Sequence, residues 1–97
     1  MRVGFAPAAR QDTRDIGDYI ARHSRAPART FVAELKAHSV KAARNPEGYP
    51  VIAERPLVLR RAVHGAYSIY FSIRPNEVRV ERIINAAMDA SPGRFEP

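Results

Sequence analysis

The sequence predicts an α+β fold: an N-terminal strand, a two-helix antiparallel hairpin and a three-stranded antiparallel meander. Two observations carry this. Between Leu57 and Asn85, three hydrophobic runs, LVLRRAV, YSIYFSI and EVRVERIIN, are separated only by His64-Gly65-Ala66 and Arg74-Pro75-Asn76, and connections this short join antiparallel neighbours. Between Ala8 and Arg44 the apolar positions instead recur every three or four residues, the period of a helix that buries one face. In the middle run, Tyr67, Ile69, Phe71 and Ile73 share one side of the strand, and Ser68, Tyr70, Ser72 and Arg74 the other. One face of the sheet is therefore expected to meet a core.

Taken in order, Val3 and Phe5 alternate with small or polar neighbours and read as a short strand at the sheet's edge. Pro7 suits a first helical turn, where a missing N–H costs nothing. From Ala8 to about His23 the stripe Ala9, Thr13, Ile16, Ile20 defines the first helix, with Asp12, Asp15, Asp18 and Arg22 on other faces and Asp18 placed to pair with Arg22. Ser24 to Pro27 interrupts the period. A second helix then carries Ala28, Phe31, Val32, Leu35, Ser39 and Ala42 on one face as far as Arg44. His38 lies beside that stripe with no partner in view. Asn45-Pro46-Glu47-Gly48-Tyr49-Pro50 ends the helix, and Val51 to Pro56 reads as a loop. In the tail, Ser91-Pro92-Gly93 breaks any further element.

The chain's 97 residues make a single domain spanning 1–97. An apolar fraction of 45% is that of a globular protein rather than a disordered one. There is no cysteine, and the three histidines lack ligand spacing, so neither a metal nor any other cofactor is expected. The opening MRVGFAPAARQD lacks the apolar segment of a signal peptide, and no run approaches the roughly 18 residues that span a bilayer. The expectation is a cytoplasmic protein with no membrane contact. A net charge of +6 and a pI near 10.5 point to an acidic partner. Four arginines, Arg60 and Arg61 in the first meander strand and Arg79 and Arg82 in the third, are the candidate functional cations. Gathered on an open sheet face they would attract anions; ion-paired within the fold they would not.

The segments ARQDTRDIGDYIARHS, AARNPEGYP, LRRAVHGAYSIYFSI and EVRVERIINAAMD, in this order and spacing, resemble the RelE/ParE superfamily of toxins from bacterial type II toxin-antitoxin modules. The resemblance covers most of the chain and implies a single RelE/ParE-like toxin domain. It also implies one of two activities. RelE-like members are ribosome-dependent mRNA endoribonucleases that hold phosphate with basic side chains on the sheet. ParE-like members poison DNA gyrase.

RNA cleavage needs a base, an acid and positive charge at the phosphorane. Arg60 matches a phosphate-holding arginine of the ribonuclease branch, but the next basic position falls at Ala86-Ala87-Met88. Asn85 stands where many members have histidine, Phe95 stands where a tyrosine is expected, and Arg55 is the only cation between Val51 and Pro56. Each missing acid or base removes about 10² to 10⁴ in rate. No catalytic residue is therefore assigned, and the expectation is a ParE-like gyrase inhibitor, with a ribonuclease and a degenerate toxin that only binds its antitoxin as the alternatives. Val78, Val80, Arg82, Ile83 and Ile84, with Asp89 after them, are closer to the ParE pattern, although Ala86, Ala87 and Met88 replace a glycine and basic residues common there.

The implied partners are a cognate antitoxin, DNA gyrase and, only through the antitoxin, operator DNA; a homodimer and a heterotetramer with antitoxin are both open. An acidic antitoxin segment that folds on binding would dock on Val3 and Phe5 or on the hairpin through Ile16, Ile20, Phe31 and Leu35. Arg82 alternates with Val78 and Val80, so its side chain is expected to start on the apolar face and to need a partner, for which Asp12 and Asp15 are the candidates.

Overall fold

The computed structural model describes residues 1–22 and 25–88. Strand β1 (Arg2–Phe5) leads into helix α1 (Pro7–Ala21), which is followed by α2 (Arg25–Arg44) and a 3-10 turn (Pro46–Gly48). Strands β2 (Val51–Ala53), β3 (Leu59–His64), β4 (Tyr67–Ile73) and β5 (Glu77–Asn85) complete the sheet before a last 3-10 turn (Ala86–Met88). The sheet order is β1-β5-β4-β3-β2. The meander β3-β4-β5 is antiparallel as expected, while β1 lies parallel to β5, with Val3 opposite Val78 and Phe5 opposite Val80. The helical hairpin carries the chain from β1 at one edge of the sheet to β2 at the other, and β5 returns to pair with β1.

Local chemistry sets the element ends. Pro7 occupies the first turn of α1, and Lys41 and Arg44 sit in the last turn of α2, where cations meet the negative end of the helix dipole. Gly65 has φ of +58° in the β3–β4 turn, a conformation that a side chain resists. Asp89, Ser91-Pro92-Gly93 and Phe95 in the tail, and the expected helical end at His23, lie outside the described residues.

The helices cover one face of the sheet. Ala9 and Ile16 from α1 and Leu35, Ala42 and Ala43 from α2 pack with Ala62, Ile69, Phe71, Val78, Val80 and Ile83. The opposite face is not simply solvated. Tyr70 is 1% exposed and packs with Leu59 and Ile84, flanked by Ala53 and Leu57, while Ser68 and Ser72 are also buried.

Three further expectations are corrected. Val51 to Ala53 is not loop but the edge strand β2, with Val51 opposite Arg60. A strand this short has too few residues for its alternation to be read from sequence. A bulge in β5 places Val80 opposite Phe71 but Arg82 opposite Tyr70, so that Glu81 is the extra residue. Beyond it the alternation reverses: Ile83 joins the helix-covered core, and Arg82 and Ile84 leave the face of Val78 and Val80. Among the described residues no ion pair joins Asp18 to Arg22; the Arg22 amide instead donates to the Asp18 carbonyl.

Candidate functional site

The four sequence-nominated arginines do not converge. Arg82 Nε and Nη2 donate to Asp12 Oδ2 and Oδ1 at 2.8 and 3.0 Å, a bidentate pair between β5 and α1. The same carboxylate accepts the Ile83 amide at 2.9 Å, on a stretch of β5 past its register with β1. The hydrogen bonds to Asp12 raise the Arg82 pKa further above its already high ordinary value, against the opposing effect of burial. Of the two carboxylates expected as partners, Asp12 is the one used, even though the bulge takes Arg82 off the apolar face.

Arg60 is directed at backbone. Its Nη1 donates to the Tyr49 carbonyl at 2.8 Å and, more weakly, to that of Glu47 at 3.3 Å, fastening the turn after α2 to β3. Arg79 pairs with Glu77 at 3.0 Å. Arg74, not nominated from sequence, donates to Glu81 Oε2 and Ser72 Oγ, both at 3.0 Å, and Ser72 completes the triangle by donating to Glu81 at 2.6 Å. Arg61 is half-buried on β3, and its side chain makes no ion pair among the described residues. Most of the sheet's positive charge is thus spoken for by the chain itself. Among the described residues, no three His, Asp or Glu side chains are grouped to hold a metal ion.

These placements separate two arginines that are adjacent in sequence. Arg60→Ala is expected to lower stability by about 1 kcal/mol, through loss of its partly exposed bonds to the turn. Arg61→Ala is expected to stay within about 0.5 kcal/mol of the parent. Urea denaturation of the two variants checks both, and equal losses would contradict the assignment.

The antitoxin candidates also divide. Leu35 is wholly buried and Ile16 nearly so, which makes both of them core rather than surface; the helical stripe that nominated them is the stripe the sheet covers. Val3, Phe5, Ile20 and Phe31 are partly buried and pack against that core. The hairpin also presents a groove of about 620 Å³ between α1 and α2. Gly17, Ala21, Ala28, Val32 and Ala33 form its apolar lining, with Asp18, Arg29 and Lys36 beside them. A Cβ at Gly17 would meet Val32 Cγ2 at 3.4 Å, an ordinary contact.

A cluster missed by sequence reasoning joins α2 to β3. His38 Nδ1 and His64 Nδ1 are 3.0 Å apart, and His64 Nε2 is 3.4 Å from Glu34 Oε1. Glu34 and His38, four residues apart on one helix, were the only local signal; His64, 26 residues further on, reads as a turn residue in sequence.

With the fold and these side chains in place, comparison with known proteins is informative. The family model for the ParE toxin of the type II toxin-antitoxin system parDE matches residues 3–90. No curated protein matches the sequence. A solved chain from the chromosomal ParDE toxin-antitoxin system of P. aeruginosa is 21% identical, with a TM-score of 0.70 over 88% of this chain and 95% of that one. At that identity the likeness speaks for the fold, whereas the family match runs through nearly every described element from β1 to the last 3-10 turn. The chain belongs to the ParE toxin family of type II toxin-antitoxin systems.

Proposed function

We propose that this chain is the toxin of its module, that it acts by gripping DNA gyrase rather than by cutting RNA, and that a cognate antitoxin neutralises it in the cytoplasm. Family membership supports the module, and one observation favours gripping. The arginine that would hold a scissile phosphate, Arg60, is turned onto the carbonyls of Tyr49 and Glu47, while Arg74, Arg79 and Arg82 are held by Glu81, Glu77 and Asp12. A phosphate would have to displace these partners before it could be stabilised. No helix among the described residues is long and apolar enough to cross a membrane, which accords with a cytoplasmic target.

For the antitoxin, the groove between α1 and α2 offers an apolar floor flanked by Arg29 and Lys36 against the single carboxylate of Asp18, on a chain of net charge +6. That combination suits an acidic amphipathic segment laid along the hairpin. The purified chain is expected to inhibit gyrase supercoiling of relaxed plasmid. Adding the antitoxin encoded by the neighbouring reading frame should restore it. Unaffected supercoiling together with transcript cleavage in a translating extract would replace this reading with the ribonuclease one.

A further inference from the structure

The histidine pair between α2 and β3 has no part in the function proposed above, and its geometry restricts how many protons it can hold. The two Nδ1 atoms are 3.0 Å apart, with ring centroids at 5.2 Å and planes at 64°. A neutral imidazole has one N–H and one lone pair. Two facing Nδ1 atoms are therefore satisfied only when one carries hydrogen and the other does not.

Glu34 decides the arrangement. Its Oε1 lies 3.4 Å from His64 Nε2, which favours hydrogen on that nitrogen. With both rings neutral, His64 then donates from Nε2 to Glu34 and accepts at Nδ1 from His38. One added proton is also accommodated: His64 becomes an imidazolium donating to Glu34 from Nε2 and to His38 from Nδ1. A second added proton sets N–H against N–H and cation against cation, and no bond remains.

We propose that His38 and His64 form a pH-operated clasp between α2 and β3, closed with no added proton or one and opened by the second. Its surroundings bear on the same step. Glu34, on α2, faces His64 Nε2, while Lys41, also on α2, opposes charge on His38. From the sheet, Tyr67 on β4 is the cross-strand neighbour of His64, and the Phe31 ring lies 5.5 Å from both His64 and Tyr67. Opening the clasp uncovers this aromatic surface.

Burial first, then the charge of His64, then that of Lys41 hold His38 below its ordinary pKa of 6.5. The sign follows from linkage: a folded chain that binds this proton less readily than the unfolded chain is least affected above pH 6.5. Its stability falls as the pH drops below 6.5 and through the lower folded value.

The experiment is a histidine-ring NMR titration of the full chain from pH 8 to 5, with amide exchange recorded in parallel. In the parent, the two rings are expected to titrate in coupled steps. As the second proton binds, amides of residues 34–42 should exchange faster, after intrinsic-rate correction, by about tenfold per pH unit. His38→Gln keeps a donor and an acceptor toward His64 but takes up no second proton, so it should lack this acceleration. Independent single-step titration of the two rings, or the same acceleration in H38Q, overturns the clasp. Should H38Q fail to fold, the parent titration decides alone.

Discussion

Replacing Leu35 with alanine is expected to lower the stability of the free chain by about 3 kcal/mol, within the range for large-to-small changes in a packed core. Leu35 is 0% exposed, sits among the Ile69, Phe71 and Val80 cluster, and its carbonyl accepts the Ser39 hydroxyl at 2.9 Å. Alanine removes the isobutyl contacts and leaves a void between α2 and the sheet. In a domain of this size that corresponds to a fall in Tm of about 15 °C. Thermal unfolding of the toxin without antitoxin is the measurement. A variant that kept its Tm while losing antitoxin affinity would return Leu35 to the docking surface.

Asp12→Ala is the second large effect, expected at about 2 kcal/mol. Its carboxylate accepts three bonds, two from Arg82 and one from the Ile83 amide. Removing it strands a guanidinium and a backbone N–H at once. Breaking a buried ion pair costs about 3 to 5 kcal/mol, but the Arg82 side chain is 29% exposed, and water recovers part of that. Asp12→Asn retains one acceptor and should lose about half as much. Denaturation of D12A, R82M and the double variant provides the check, because partners in one bonded pair give a double-variant loss smaller than the sum. If Arg82 instead served gyrase directly, R82M would keep its stability and lose inhibition of supercoiling.

The two periodicities in the sequence correspond to the elements found. The α1 stripe Ala9, Thr13, Ile16 and the α2 positions Ala28, Leu35, Ser39, Ala42 are buried, and Ile69 and Phe71 face the helices. The candidate site was less legible. The sequence offered Asp12 and Asp15 as partners for Arg82 without choosing between them, and the bulge at Glu81 was invisible. One inserted residue reverses every later side chain in the strand, so Ile83 and Ile84 exchanged faces with no local sign. Arg60 illustrates a different limit, for its partners are carbonyls, which every residue possesses and no sequence advertises.

Residue spacing alone determined the helices and the meander, since each depends on neighbours a few positions apart, while the order of the segments carried a resemblance to the toxin superfamily. Only the tertiary structure decided which arginines were already satisfied, that Leu35 faced inward, that β1 closed the sheet parallel to β5, and that His38 met His64. Those outcomes depend on distances between residues far apart in the chain, and a hydrogen bond or ion pair exists only when folding brings its two atoms to about 3 Å.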